Sequence, residues 1–388
     1  MGSYDGAASF SSNAHNWTLA HHKIPQTMSP LTRILRSRIM AQGPINIADY
    51  MAECLMHPEH GYYTTQTVFG QNGDFITAPE ISQMFGEMIG LSLGSAWQVQ
   101  GCPKNAILVE LGPGKGTLLR DLRHVSAAIP GFEKLPIHLV ESSPQLRKVQ
   151  SEAIQNAIHH NEIFTLPQAP IFLIANEFFD ALPMRQFRRS DSAWEEILIG
   201  ERECGLSFGC AAPQQYKFLT HRLADTKKGD IIEYCPALPP IMAAISNRIN
   251  IYGGAALIID YGDWRSQGDT LQAIGDHAMV APLATPGKTD ITAHVDFEAI
   301  VKAAAPAAAS LLTTQGVFLE RLGITQRAQI LAQQLKGLAL NNHIAAHRRL
   351  THPEEMGSLF KVMGLASTTT ALPAGLEPLT LKQSQNNA

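Results

Sequence analysis

Three glycines alternate through Gly112-Pro113-Gly114-Lys115-Gly116, directly after a short apolar run. That run, Ala106 to Val109, predicts a buried strand ending in Glu110, and Thr117 to His124 predicts a helix. Glycines at this spacing let the backbone turn tightly and come close to a ligand. A helix starting there aims its free N–H groups and positive dipole end at the same spot. The segment therefore predicts a parallel strand with a cofactor loop at its carboxyl end.

Three readings of the loop compete. A phosphate-gripping P-loop needs Lys after the last glycine, whereas Lys115 lies between two. A dinucleotide fingerprint needs its third glycine one residue later. Glu110-x-Gly112-x-Gly114-x-Gly116 instead matches S-adenosylmethionine sites. That ligand is a cation with an amino-acid tail and no phosphate, so a carboxylate beside the loop suits it and would repel a pyrophosphate. A nucleotide cofactor and a glycine turn without a ligand stay open at this stage.

Composition narrows the field. The chain has 388 residues, 45% hydrophobic and 16% charged, enough for a large core and for several domains. A net charge of −4 offers no electrostatic footprint for nucleic acid. No apolar run approaches the roughly 20 residues that span a bilayer. Five scattered cysteines without a Cys-x-x-Cys pair suggest neither a disulfide framework nor a zinc site. Residues 1–28 lack periodicity, arginine and an apolar stretch, and read as a disordered tail rather than a targeting leader. A bacterial cytoplasm is the simpler compartment, and a mitochondrial matrix if the source is eukaryotic.

Strands and helices alternate from residue 106, which predicts an α/β fold with a doubly wound, seven-stranded Rossmann-like sheet. Its strands are expected at Ala106 to Glu110, Ile137 to Glu141, near Ile163, Ile171 to Ala175 and Ala255 to Asp260. Ala309 to Gln315 and Phe360 to Leu365 would close it as an antiparallel pair. Residues 29–100 read as a helical segment covering the cofactor, with one helix from Ile81 to about Val99. Residues 101–183 and 236–388 read as the two halves of the core. Residues 184–235 read as a β-rich insertion, 262–294 as a long loop and 324–349 as a helical insertion.

Chemistry concentrates at the expected strand ends. Glu141 ends the second strand, where a carboxylate can accept ribose hydroxyls or simply cap a helix. Asn176-Glu177-Phe178-Phe179-Asp180 ends the fourth strand. Glu177 and Asp180 can converge on one side of a helical turn and bind a guanidinium fork or act as a general base. A structural hydrogen-bond network is the plainer alternative. Gly73-Asp74 and Thr77 to Glu80 precede the sheet, and Asp260-Tyr261-Gly262 ends the fifth strand at the same mouth. His294, Asp296 and Glu298 are metal-ligand types in an order that fits helix capping better.

Together, Gly73 to Gln83, Glu110 to Gly116, His138 to Glu141, Asn176 to Pro183 and Asp260 to Gly262 resemble the MidA group of class I methyltransferases. This is the family of the mitochondrial complex I assembly-factor arginine methyltransferase, and the likeness covers roughly residues 30 to 365. It implies S-adenosylmethionine as methyl donor and methylation of an arginine ω-nitrogen on a subunit of NADH:ubiquinone oxidoreductase. It further implies cofactor contacts from Gly73, Asp74, Glu110, Gly112, Gly114, Gly116 and Glu141, and acceptor chemistry from Glu177, Asp180 and Asn176. The rival is a non-catalytic assembly chaperone that keeps a cofactor pocket, or a methyltransferase with another acceptor. No metal, nucleic acid or membrane insertion is expected, and a homodimer is left open.

Overall fold

A computed structural model describes residues 29–65, 77–124, 128–202, 205–275 and 277–379. The chain forms two compact units. One comprises Met1–Val68, Ala181–Ala237 and Ser266–Ala293; the other comprises Phe69–Asp180, Leu238–Arg265 and His294–Ala388.

The second unit is built on a sheet. Its strands are β1 (Ile107–Leu111), β2 (Ile137–Val140), β3 (Ile158–His160), β4 (Ile171–Asn176), β5 (Gly254–Asp263), β6 (Ala308–Ala309) and β7 (Phe360–Ala366). Their spatial order is 3-2-1-4-5-7-6. β1 to β5 run parallel, whereas β7 is antiparallel to both neighbours. Two-residue strands, Val295–Asp296 and Thr313–Thr314, add to β5 and β7. Every residue of β1, β2 and β4 is buried, as continuous apolar runs in a sheet covered on both faces require. The register pairs Leu111 with Val140 and with Ala175, and Ile259 with Asn176. The carboxyl ends of four strands thereby meet at one edge.

Helix α1 (Gln83–Val99) starts at Ser82, whose hydroxyl accepts the Met84 N–H at 3.2 Å. Its face of Met84, Phe85, Met88, Ile89, Leu93 and Trp97 packs with Leu118, Leu119 and Leu122 of α2 (Thr117–Leu122) and with Leu108, Phe172, Ile174 and Leu257 of the sheet. Each such aromatic or leucine contributes roughly 1.5–3 kcal/mol by leaving water. Gly86 permits the contact between α1 and α2, because a Cβ there would lie 2.8 Å from Asp121 Cβ. Glu87 of α1 holds Arg327 of the helix Ile324–Ala332 in a two-pronged pair, 2.7 and 2.9 Å. After the sheet's second strand comes α3 (Pro144–Ala153), and α4 (Leu238–Tyr252) packs against β4, β5 and β7.

The first unit is mostly antiparallel. Ile45–Asn46, Trp194–Arg202, Arg185–Arg189 and Ile231–Tyr234 lie side by side, with Gly205–Cys210 also paired to 194–202. Phe187, Trp194, Leu219 and Ile232 form its small core. The helix Ile47–Met56 is anchored by Tyr50, whose hydroxyl donates to the Pro282 carbonyl at 2.7 Å.

Three expectations change. The stretch 262–294 is not a plain loop: Gln272–Gly275, Ala278–Val280 and Asp290–Thr292 form a three-stranded sheet. The third strand is Ile158–His160, and Ile163–Thr165 is a 3-10 turn whose buried Ile163 supplied the misleading apolar signal. Residues 29–100 do not act as one segment either. Residues before 69 belong to the first unit and α1 to the second, and the helix expected from Ile81 breaks at Ser82 into Ala78–Ile81 and α1.

Candidate active site

The glycine loop leaves β1 through three left-handed residues, Gly112 (φ 60°), Gly114 (φ 53°) and Gly116 (φ 81°). Only glycine adopts these angles without strain. A Cβ on Gly112 would sit 3.0 Å from the Phe178 ring, and one on Gly116 would sit 3.1 Å from Ile154 Cδ1. The Gly112 N–H donates to the Val140 carbonyl at 3.0 Å, tying the loop to β2. Lys115 approaches Glu80 at 3.9 Å, and Glu80 also accepts the Thr117 hydroxyl.

Glu110 stands one residue before the end of β1, directly ahead of the glycine loop. Its carboxylate is buried and accepts the Leu119 N–H in the first turn of α2. Burial pushes its pKa up to about 8, against the lowering effect of that amide. The carboxylate thus ties β1 to the start of α2, while its Oε2 is buried without a hydrogen-bond partner among the described residues.

Glu141 follows β2. Its carboxylate accepts the Ser143 N–H at 2.8 Å and the Gln150 side-chain amide at 3.2 Å. Burial raises its pKa, while the amides of Ser143 and Ser142, Gln150 and Arg147 oppose the rise. The same Gln150 nitrogen donates to the Gly114 carbonyl at 2.7 Å. Its oxygen faces His159 Nε2 at 3.0 Å.

Beyond β4 the backbone at Glu177 is left-handed, with φ 51°, an uncommon state for a residue with a side chain. Asn176 donates its side-chain N–H to Glu177 Oε1 at 3.1 Å. Asp260, three residues before the end of β5, is fully buried and accepts the N–H groups of Phe179 at 3.0 Å and Asp180 at 3.3 Å. Burial raises the Asp260 pKa first, and the neighbouring Asp180 and Glu177 carboxylates add to the rise. Three carboxylates therefore converge at the mouth.

Of the residues singled out in the sequence, Glu110, Gly112, Gly114, Gly116, Glu141, Asn176, Glu177 and Asp180 all lie at the carboxyl edge of one sheet. Gly73 and Asp74 fall outside the described residues. Asp296 caps its helix, accepting the Ala299 N–H at 2.9 Å, and Glu298 pairs with Arg265. Sequence reasoning placed Asp260 at the mouth without giving it a contact, and gave no role to Glu80 or Gln150. Asp260 carried a usable signal, since a polar residue ending a buried strand needs a partner. Gln150 carried none, because a glutamine on an amphipathic helix looks like surface.

The residues fit a nucleoside cofactor with an amino-acid tail. The Gly112 cradle has no room for a Cβ, a carboxylate stands at the end of β2, and Asn176 Oδ1 is buried without a hydrogen-bond partner among the described residues. Strand order 3-2-1-4-5-7-6, with β7 reversed and the glycine loop after β1, defines a class: methyltransferases that draw their methyl group from S-adenosylmethionine.

Comparison with known proteins agrees. A family model described as S-adenosyl-L-methionine-dependent methyltransferase matches residues 88–316. The protein arginine methyltransferase NDUFAF7 homolog, mitochondrial, of Drosophila melanogaster is 34% identical over 372 residues, 86% of this chain and 84% of that protein. The Homo sapiens protein arginine methyltransferase NDUFAF7, mitochondrial, is 32% identical over 372 residues, 87% of this chain and 83% of its own. A Burkholderia thailandensis protein whose crystal structure is bound to S-adenosyl-homocysteine is 27% identical. It superposes with a TM-score of 0.77 over 89% of this chain and 94% of its own. The chain belongs to this S-adenosyl-L-methionine-dependent methyltransferase family, together with the NDUFAF7 proteins.

Proposed function

We propose that this methyltransferase methylates an arginine ω-nitrogen on a protein, a subunit of NADH:ubiquinone oxidoreductase, and so supports assembly of that complex. The names of the relatives support the arginine acceptor and the mitochondrial setting. The compartment we propose is the mitochondrial matrix, or the cytoplasm if the chain is bacterial. Among the described residues no helix is long and apolar enough to cross a membrane.

In this reading Gly112, Gly114 and Gly116 line the cofactor, Glu141 holds its ribose, and Glu110 holds the loop in shape. Gly73 and Asp74 would complete that contact. The bound cofactor supplies an electrophilic sulfonium methyl group. Arginine has a pKa above 12, so its nitrogens are poor nucleophiles while every proton is held. Glu177 accepts guanidinium N–H bonds and fixes one nitrogen in line, with Asn176 holding the Glu177 carboxylate and Asp180 beside it. The same carboxylate takes the proton that leaves the nitrogen. A cationic side chain also relieves the carboxylate repulsion that adds to burial in raising the Asp260 pKa.

The observation that carries the reading is Glu177 itself. A left-handed non-glycine residue at the carboxyl mouth of a parallel sheet stores strain where a functional side chain must be aimed. The test uses purified protein, labelled S-adenosylmethionine and complex I subunits, read by mass spectrometry for methylarginine. Glu177→Gln should lower the transfer rate about 100-fold or more with cofactor affinity unchanged. Full transfer by that variant would remove Glu177 from the acceptor chemistry. Cofactor binding without any methylated arginine would favour the assembly-chaperone reading.

A further inference from the structure

We infer that Gln150 is a positioning residue for the cofactor, one that fixes the glycine loop relative to the ribose-binding carboxylate. Helix α3 has a single fully buried position, and a polar glutamine occupies it. Burying an amide is costly unless its hydrogen bonds are made. Here they are made. The nitrogen donates to the Gly114 carbonyl at 2.7 Å and to Glu141 Oε2 at 3.2 Å, and the oxygen accepts from His159 Nε2 at 3.0 Å.

The chemistry leaves one orientation. A carbonyl and a carboxylate can only accept, so the NH₂ faces them and the oxygen faces the imidazole. His159 must then carry its proton on Nε2. A carboxylate at this position would have nothing to donate and would face Glu141 as a like charge. An apolar side chain of the same length would fill the space and hold neither partner. The Gly112 N–H already ties the start of the loop to Val140, but Gly114 lies two residues further on in a left-handed turn with φ 53°, and among the described residues no backbone hydrogen bond joins it to Glu141. Gln150 supplies that link.

This inference rests on the cofactor alone and not on the arginine acceptor. Its test is calorimetric titration of S-adenosyl-homocysteine into the full chain, beside thermal melts that report folding. Gln150→Met should weaken binding roughly tenfold, the value of one or two lost hydrogen bonds. Gln150→Glu should weaken it further at pH 8 and recover part of the loss toward pH 5.5, as the new acid takes up a proton and regains a donor. A residue that only filled space would show no such pH-dependent difference between the two variants. At saturating cofactor, kcat of Gln150→Met should stay within about threefold of the unaltered protein while KM for the cofactor rises. Unchanged affinity in a folded Gln150→Met variant, or equal losses for both variants at every pH, would overturn the inference. If neither variant folds, His159→Leu decides, since it removes only the third partner. A loss of about threefold supports the role of Gln150, and no change overturns it.

Discussion

A carboxylic acid buried as deeply as Glu110 changes charge over a pH range that an exposed glutamate never visits. Its ordinary value is 4.5, and burial pushes it up to about 8. The folded chain thus favours the protonated acid. The sign follows: stability from this group is full below pH 4.5 and is lost as pH rises through about 8. Glu110→Gln should flatten that fall, so the drop in melting temperature between pH 5 and 8 should shrink. Thermal melts across that range check it, and an equal drop in both proteins would mean that Glu110 titrates as a solvated acid. The sequence could place Glu110 beside the glycine loop but not aim it. Strand parity decides that, and parity depends on which sheet face α1 and α2 cover. Leu108 shares the face of Glu110 and packs with Leu118 and Leu119.

At the scale of elements, one residue of β5 holds the turn that follows β4. Asp260 on β5 accepts the Phe179 and Asp180 amides beyond β4 and thereby shapes the turn that presents Glu177. Asp260→Ala should leave those amides without acceptors and destabilise the protein by about 1–3 kcal/mol. Methyl transfer should fall with it, whereas affinity for S-adenosyl-homocysteine should stay within threefold. Asp260→Asn keeps an acceptor without the charge and should restore most of the stability. Denaturant unfolding and calorimetry separate these effects, and full transfer by the alanine variant would contradict this role. Elements were readable where one local signal sufficed. Long apolar runs gave β1, β2, β4 and β5, and the glycine spacing gave the loop. The sheet within 272–292 was hidden because its strands are three or four residues long and their pairing is non-local. β3 was hidden because its two histidines carry no strand preference, while Ile163 and Phe164 just beyond it do.

For the whole molecule, every described residue proposed to hold the cofactor belongs to the second unit. Hydrogen exchange with and without S-adenosyl-homocysteine should show new protection at 112–119 and 141–150, and none in the strand 194–202 of the first unit. Protection that appears in 194–202 instead would refute the assignment of the site. The division into units also bears on how the protein is made. Neighbouring strands β4 and β5 are separated by residues 177–253, and each unit draws on three stretches of chain. A ribosome adding about 5–20 residues per second leaves β4 exposed for roughly 4–15 s before β5 emerges. β7 follows later still. Neither unit can close before the last of its three stretches is made, so β4 waits on the nascent chain with one apolar edge unpaired until β5 arrives.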